Sequence, residues 1–356
     1  MVLRRPLPLL RLLRLLGSVL ALTLVACEPP PDGPDTTDTH GWQTVLHDLA
    51  PALLSVWGSG AEDMFVVGSD PGDGAGPWVL HWDGATWERL RTGASGALWS
   101  VAGTDRAGPV FMVGAGGLAL RWDRGSGGAS GAFTRLSGVA SDVTLAGVAA
   151  IGSSVWAVGG GDGDGRGRAY TLGGDVFSER ADLPAAAATA GVFSGVWGRS
   201  GGDLWIVGRG GKVLHQRAND WQTFAAPTGQ RLAALHGNGA ITVAVGGLVS
   251  GVVGELAEAG VTDATPFGMP PMDGVWVRSD GTVLAVGDQG AVWERTGNHW
   301  RADVDVPPSV LRYHAVWVDP AGGAWVVGGY VQAPQRDGVL LHFGAALPSG
   351  AMTLPE

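Results

Sequence analysis

The chain has 356 residues, of which 45% are hydrophobic, 16% are charged and 61 are glycine, and its formal net charge is −10. This apolar content, with 16 tryptophans, excludes a disordered chain, and the absence of a three-residue glycine period excludes collagen. The single cysteine excludes a disulfide framework and any multi-cysteine metal or iron–sulfur site. The acidic balance argues against nucleic acid as a partner.

The first 26 residues carry the pattern of a secretory signal. Arginines open the chain, and an apolar run from Leu15 to Val25 follows that is shorter than the ~20 residues a membrane span needs. Leu24-Val25-Ala26-Cys27 resembles the lipobox of bacterial lipoproteins. This resemblance implies cleavage before Cys27 and lipidation of its thiol and new amine. The alternative is an ordinary secreted protein with a stray cysteine at this place.

A tether is expected between the lipid and the folded part. Residues 27–41 begin with the lipidated cysteine and are rich in proline and aspartate, which is typical of an extended, solvated segment. Because the rest of the chain is acidic, we expect the lipid alone to bind the membrane. These features predict a lipid-anchored protein of the bacterial cell envelope. Glu28, rather than an aspartate, favours the outer membrane under the best-known bacterial sorting rule.

The rest of the chain is periodic. The dipeptide Val-Gly recurs seven times, at intervals of 38 to 49 residues. A branched aliphatic residue stands 11 to 13 residues before each glycine, and another large apolar residue stands three before it. A third apolar run and then a fourth, usually opened by an aromatic residue, follow the glycine. Each repeat therefore has four short β-like runs, called a, b, c and d. Ala185–Ala188 is the one helix-prone patch, and we interpret it as loop.

Four strands in about 43 residues is the size of a propeller blade. The seventh repeat ends after its third run, and residues 42–45 at the other end of the chain match residues 87–90, a fourth run. The sequence thus predicts an all-β fold, a seven-bladed β-propeller of four-stranded blades over residues 42–344. Residues 42–46 are predicted to be the outer strand of the last blade and to close the ring. Residues 345–356 form a C-terminal tail.

The repeated pattern Val-Trp-Gly, Val-Val-Gly, His-Trp-Asp-Gly and Trp is similar to bacterial propellers with neuraminidase-type repeats. It also resembles the photosystem II assembly factor propeller, and the resemblance covers residues 42–344. It implies the fold, and many envelope propellers with this pattern have no assigned function. WD-type and kelch repeats fit less well, because their signature pairs are absent or sporadic here.

Catalytic signatures are weak. Gly198–Gly202 matches the text of a nucleophile elbow but falls in a predicted a–b hairpin, not in a strand–turn–helix. We therefore predict a non-catalytic binding or scaffolding module for a protein or glycan partner of the envelope, with no cofactor. The alternative is a glycan-active or lectin-like propeller of the sialidase class. Its mark would be acids and arginines converging on the channel mouth, and no such cluster is visible in sequence order.

Loop length suggests where a partner binds. The b–c connections of the first, third and seventh repeats are longer than the others, and blades seven and one adjoin in a closed ring. Loops on a rigid scaffold commonly carry binding residues. Unconstrained variation of loop length is the alternative. The predicted partner-binding residues of these loops are Asp70, Asp73, Trp78, Tyr330, Gln332, Gln335, Arg336 and Asp337.

Two further positions carry alternatives. Asp162 and Asp164 resemble the start of a calcium loop, but Arg166 stands at its third acidic place. Calcium there is weighed against an acidic surface loop. His236 replaces a tryptophan of the a column beside the channel. It is either a hydrogen-bonded histidine of the channel wall or a ligand group.

Overall fold

The computed structural model describes residues 40–125, 131–189, 191–218, 220–226 and 228–354. These residues form seven four-stranded antiparallel sheets, which confirms the predicted seven-bladed β-propeller. Residues 1–26, Cys27 and most of the tether lie outside the described residues.

The strands are numbered in chain order, and the first belongs to the last blade. Blade 1 contains β2 (Leu53–Gly60), β3 (Asp63–Gly68), β4 (Val79–Trp82) and β5 (Trp87–Arg89). Blade 2 contains β6 (Leu98–Gly103), β7 (Val110–Gly114), β8 (Ala119–Asp123) and β9 (Ala132–Arg135). Blade 3 contains β10 (Val143–Ile151), β11 (Ser154–Gly161), β12 (Gly167–Gly173) and β13 (Val176–Glu179). Blade 4 contains β14 (Phe193–Ser200), β15 (Asp203–Gly208), β16 (Lys212–Arg217) and β17 (Asp220–Ala225). Blade 5 contains β18 (Leu232–Gly237), β19 (Thr242–Gly247), β20 (Gly251–Ala257) and β21 (Gly260–Asp263). Blade 6 contains β22 (Met272–Val277), β23 (Val283–Gly287), β24 (Val292–Thr296) and β25 (His299–Ala302). Blade 7 contains β26 (Arg312–Val318), β27 (Ala324–Tyr330), β28 (Arg336–Gly344) and β1 (Gly41–Leu49).

Helical structure is limited to short segments. Single 3-10 turns span Ala115–Gly117, Arg209–Gly211, Asp288–Gly290 and Ser349–Met352. The Ala185–Ala188 patch, expected to be loop, forms one turn of α-helix, because the four alanines that follow Pro184 have a high helix propensity. Over the described part of the chain, no helix is both long and apolar enough to cross a membrane.

The ring closes as the sequence predicts. Strand β1 pairs antiparallel with β28, so that Trp42 lies opposite Phe343 and Thr44 lies opposite Leu341. The strand is longer than the predicted residues 42–46, since the pairing extends from Gly41 to Leu49. The inner strands contact each other around the ring, and β26 contacts β2. The outer strand of the last blade is therefore the first strand of the chain.

The Val-Gly column marks a close approach of two backbones. In every blade, strand a carries a β-bulge near its start. In each blade, a carbonyl at the start of strand a or just before it lies against the column glycine. A Cβ on Gly114 would lie 1.9 Å from the Ala97 oxygen, and one on Gly208 would lie 2.5 Å from the Val192 oxygen. Glycine is required because any side chain there would collide with backbone.

Tryptophans of the a column fill the gaps between blades. Trp57 covers Gly103 of the next blade, and Trp197 covers Gly237 in the same way. A Cβ on these glycines would lie 2.3 and 2.7 Å from the covering indole. The core is therefore a series of interblade layers, in which a large side chain from one blade packs on bare backbone of its neighbour.

The residues after the last strand pack on the ring. The Trp87 indole donates a hydrogen bond of 3.0 Å to the carbonyl of Ala351, which is fully buried. Leu347 and Leu354 pack against the same cluster, which joins blades 7 and 1. Residues 345–354 thus cover the junction at which the ring closes.

Candidate functional site

The b–c and d–a connections of all blades share one face of the ring, and the central channel opens there. The channel mouth is a cavity of about 460 Å³. Below it the channel continues as a second cavity of about 340 Å³, enclosed by the inner strands of all blades. The two cavities share their lining at the neck, so ligand access from this face leads into the channel.

The β-bulges shape the neck. A bulge inserts one extra residue and re-aims a side chain, and here the extra residue of each blade lines both cavities. These bulge residues, in blade order, are Leu54, Trp99, Ala146, Ser194, Ala233, Asp273 and His314. Leu54 and Trp99 are large and apolar, and they face the small side chains of blades 3 to 5. Asp273 and His314, on blades 6 and 7, are polar and lie between these two groups.

Asp273 organises the charged side of the mouth. Its carboxylate forms an ion pair with Arg231 and a second one with Arg312, whose Nε lies 3.1 Å away. Arg312 lies 3.5 Å from Asp288 as well. Asp273, which is only 10% exposed, holds both guanidinium groups, and together with Asp288 it balances their two positive charges.

His314 supports this arrangement as a neutral side chain. Burial lowers its pKa, although nearby Asp273 opposes the effect. Nε2 lies 3.0 Å from the Gly329 carbonyl, which only accepts hydrogen bonds, so the proton resides on Nε2. Nδ1 then faces the Asp273 carboxylate at 4.0 Å without a proton of its own. The histidine thus adds no positive charge to the mouth.

One arginine side chain at the mouth retains its donors for a ligand. Arg209, at the b–c turn of blade 4, is exposed, and its side chain has no ion pair or hydrogen bond with any described residue. Nε of Arg231 also lacks a partner within the described chain, but this atom is buried. Across the mouth, Trp99 packs with Leu54 and Val331. The cavity therefore offers cationic donors on one side and an apolar wall on the other.

This arrangement brings acids and arginines together at the channel mouth, which is the feature expected of the sialidase-class alternative, and it suits capture of an anion. Guanidinium groups bind carboxylates through paired, charge-assisted hydrogen bonds. Of the described residues that line the mouth, none is a tyrosine or a glutamate, which the sialidase class needs beside its arginines. No group of three or more histidine, cysteine, aspartate or glutamate side chains in the described ranges could hold a metal ion.

The blade 1 half of the predicted partner patch is bonded to its own loop, to β5 and to the connection from blade 1 to blade 2. Asp70 accepts hydrogen bonds from the amides of Gly72 and Gly96, at 2.8 and 3.0 Å. Asp73 pairs with Arg89 at 2.7 Å, and that guanidinium carbon lies 4.8 Å from the Trp78 ring centre. These side chains shape the loop and do not line the mouth.

The blade 7 half lies nearer to the mouth. Tyr330 and Gln332 line a cavity of about 280 Å³ between blades 6 and 7, and this cavity shares Arg312 with the mouth. Arg336 pairs with Asp337 and lies over the Tyr330 ring. The carbonyl of Gln335 accepts a 3.3 Å hydrogen bond from Ser69, so the two predicted loops do adjoin.

The calcium-like loop is occupied by internal bonds. Asp164 accepts a hydrogen bond from Arg166 N at 2.9 Å and pairs with Arg168 at 2.6 Å. Asp162 lines the mouth and accepts a hydrogen bond of 3.2 Å from Thr144. The arginine partner supplies the positive charge that a cation would otherwise provide to Asp164.

His236 lies in the channel wall as a hydrogen-bonded side chain. Its ring stacks on Trp276, with centroids 3.8 Å apart, and Nδ1 accepts a 3.0 Å hydrogen bond from the Val277 amide. Burial lowers the pKa of His236 to about 3. Folding therefore favours the neutral ring, and protonation of His236 destabilises the folded state.

This pKa predicts acid sensitivity. The stability that His236 contributes is present above its unfolded pKa of about 6.5 and is lost as pH falls toward 3. His236→Asn retains an acceptor at the Nδ1 position and does not titrate. We expect its free energy of unfolding, measured by urea titration, to fall less than that of the wild type across this window.

The control is His47→Asn, which changes an exposed ring on β1. Its stability curve should follow that of the wild type. Parallel curves for wild type and His236→Asn would contradict the assignment.

Sequence reasoning missed the neck and the arginines around it. The bulge residues stand two positions before the branched aliphatic of the a column, as Asp273 does before Val275. That column is the irregular one of the repeat, since it holds aspartate and histidine as well as apolar residues. Variation inside an otherwise regular repeat was the available signal.

The fold and the site together define a β-propeller with an open, partly cationic channel mouth. No protein-family model and no curated protein matches the chain, whereas 675 chains of solved structures match its fold. YCF48 from Cyanidioschyzon merolae is 18% identical over 85% of this chain and 98% of its own, with a TM-score of 0.59. YCF48 bound to D1 peptide is 14% identical, covers 86% and 97%, and has a TM-score of 0.59. The WD40 β-propeller domain of Doa1 is 10% identical, covers 85% and 97%, and has a TM-score of 0.61. These likenesses establish the fold and confirm the predicted resemblance to the photosystem II assembly factor at that level.

Proposed function

We propose that this chain is a non-catalytic binding propeller that captures a protein partner at the channel mouth. The observation that carries the proposal is the exposed Arg209 side chain, which has no partner among the described residues and lies across the mouth from an apolar wall at Trp99. A partner that presents a carboxylate beside an apolar group complements both sides of this cavity. Charged hydrogen bonds of this kind contribute roughly 1.5–3 kcal/mol each.

A structural neighbour supports a polypeptide as the ligand. YCF48, which shares this fold, has been solved bound to D1 peptide. Binding residues commonly lie on loops that a rigid scaffold holds in place. The mouth here is built on such a scaffold, because every blade contributes a β-bulge to it.

The first strand begins on the face opposite the mouth. Gly41 lies opposite Gly344, whereas Leu49 lies opposite Gly338 beside the b–c loop of blade 7. The chain therefore enters β1 on the face away from the mouth. The first strand therefore leaves the mouth open to a partner, which we place in the bacterial cell envelope.

An acidic glycan is the second candidate ligand. The three arginines around the mouth, Arg209, Arg231 and Arg312, are the feature that favours it, because they suit a sugar carboxylate as well as an acidic peptide. The lining without tyrosine or glutamate, over the described residues, favours lectin-like binding over hydrolysis.

The test compares Arg209→Glu with the wild type in capture from gently solubilised envelope. Arg209 has no internal partner among the described residues, so the change should leave the fold intact. We expect recovery of the specific partner, quantified by mass spectrometry of bound proteins and glycans, to fall at least about tenfold. Release of the captured partner by increasing salt should accompany this loss.

The matched control is Arg106→Glu, which makes the same charge change at an exposed site on the a–b turn of blade 2. It should capture as the wild type does. Equal profiles for Arg209→Glu and the wild type would remove the mouth as the binding site. A glycan lost instead of a protein would favour the second candidate.

A further inference from the structure

We propose that an apolar crescent beside the mouth is a second contact surface for the same protein partner, and that it takes apolar side chains flanking the acidic group. The crescent consists of Leu248, Val249, Phe267, Val304 and Val310. This inference rests on the proposed function, because it assigns the partner's anionic group to the arginines.

The crescent collects most of the exposed large apolar side chains in the described chain. Their exposed fractions are 67% for Leu248, 93% for Val249, 104% for Phe267, 86% for Val304 and 78% for Val310. Only Val176 and Met352, at 48% and 42%, are otherwise exposed to this degree among described large apolar residues. Clustered exposure of this kind marks interaction surfaces, since single exposed apolar residues are ordinary.

All five residues lie on the face that carries the mouth. Leu248 and Val249 form the b–c turn of blade 5, and Phe267 lies on the connection from blade 5 to blade 6. Val304 and Val310 lie on the connection from blade 6 to blade 7. They therefore occupy three neighbouring connections on one side of the channel.

Backbone contacts join these connections into one surface. Gly251 N donates to the Met269 carbonyl at 2.7 Å, which ties the blade 5 turn to the next connection. Asp288 N donates to the Pro271 carbonyl at 2.9 Å, and Gly290 N donates to the Leu311 carbonyl at 2.7 Å. The crescent is thus carried by loops that are bonded to each other.

The arginines of the mouth lie along the inner edge of the crescent. The neighbour of Arg231, Gln230, accepts a 2.9 Å hydrogen bond from the amide of Leu248. Val310 and Arg312 line the same cavity between blades 6 and 7. An occupant of this surface therefore meets guanidinium groups on one side and aliphatic or aromatic tips on the other.

This juxtaposition commits the surface to an acidic, apolar polypeptide segment. Asp288 and Asp305, on the same side of the ring, would repel an anionic surface as broad as a membrane, whereas a polypeptide segment can place a single carboxylate at the exposed Arg209. A second copy of this chain is disfavoured because the chain is acidic, so that two copies repel each other.

The test uses four synthetic hexapeptides, with a central aspartate or lysine flanked either by leucine and phenylalanine or by serine. Affinity for the full-length chain is measured by fluorescence anisotropy. We expect the apolar aspartate peptide to bind at least about tenfold more tightly than the serine-flanked aspartate peptide. The crescent variant Val249→Ser, Phe267→Ser, Val310→Ser should abolish this preference and still prefer aspartate to lysine.

Two further proteins separate the crescent from the mouth. Arg209→Glu should lose the preference for aspartate over lysine but keep the preference for apolar flanks. The control Val176→Ser, Met352→Ser removes exposed apolar residues elsewhere and should bind as the wild type does. If the wild type prefers apolar flanks but does not prefer aspartate to lysine, the proposed function is wrong. If it prefers aspartate but does not prefer apolar flanks, the crescent is not a contact surface.

Several outcomes overturn the inference. These are absence of peptide binding, equal affinity of the two aspartate peptides, or an unchanged preference in the crescent variant. Crescent-dependent sedimentation with phosphatidylglycerol–phosphatidylethanolamine vesicles, without peptide selectivity, would assign the surface to lipid. Crescent-dependent self-association in sedimentation velocity would assign it to a second copy.

Discussion

Deleting Gly41–Leu49 should remove most of the stability of the propeller. The deletion exposes the edge of β28 and uncovers the partners of Val45, Leu46 and Leu49, which are 3%, 5% and 8% exposed. Burying each such side chain contributes roughly 1.5–3 kcal/mol, and whole domains are stable by only about 5–15 kcal/mol. Thermal unfolding followed by circular dichroism should show a much lower midpoint or no cooperative transition.

A point substitution tests the same contact in a full-length chain. Leu46 lies opposite Leu340 and is buried, so Leu46→Asp should lower the free energy of unfolding by at least about 4 kcal/mol. Thr44 is on the same strand and exposed, and Thr44→Asp should change stability by no more than about 0.5 kcal/mol. Equal midpoints for the two variants would show that β1 does not hold the ring closed.

The fold was predictable because its strongest constraint repeats. A backbone carbonyl approaches each column glycine so closely that no Cβ fits, and the same contact recurs in every blade, as at Gly114 and Gly208. The ring closure followed from a simple mismatch, a missing fourth run at one end and a surplus run at the other. The extra length of β1 was not visible, because Leu49 has no counterpart in the pattern used to find it.

The site was less predictable because ring closure, rather than sequence proximity, assembles it. Arg231, Asp273 and Arg312 come from different blades, and nothing in their local sequence shows that they meet. The predicted patch relied on loop length, which is visible in a sequence, whereas the inward turn of a bulge residue is not. Asp70 and Asp73 illustrate the difference, since their carboxylates bond to their own loop.

A buried charge cluster between blades 1 and 2 carries the second large prediction. Asp63, only 4% exposed, accepts hydrogen bonds from Ser59, from His81 Nε2 at 2.9 Å, and from two nitrogens of Arg124 at 2.8 and 2.7 Å. Asp63→Asn leaves the Arg124 guanidinium without its counter-charge. Breaking such a pair from one side costs roughly 3–5 kcal/mol, and urea titration near pH 7 should show a loss of this size.

The blade 4 counterpart supplies the control. Asp203 accepts hydrogen bonds from His215 and Arg199 at 2.9 Å, but Arg199 belongs to the same blade and is 51% exposed. Asp203→Asn should therefore cost about 1 kcal/mol, as exposed pairs do. A double variant, Asp63→Asn with Arg124→Met, should recover part of the stability lost in Asp63→Asn, because no unpaired charge remains.

The pH dependence of the Asp63 variant identifies the charge as the cause. Burial alone would raise the pKa of Asp63, but hydrogen bonds from His81, Arg124 and Ser59 outweigh it and hold that pKa far below its ordinary value. A carboxylate of this kind contributes its full stability above its unfolded pKa of about 4 and loses it as the pH falls further. The difference in unfolding free energy between wild type and Asp63→Asn should therefore be full near neutral pH and shrink below about pH 4. If that difference stayed constant down to about pH 2.5, the lost stability would come from the shape of the side chain and not from its charge.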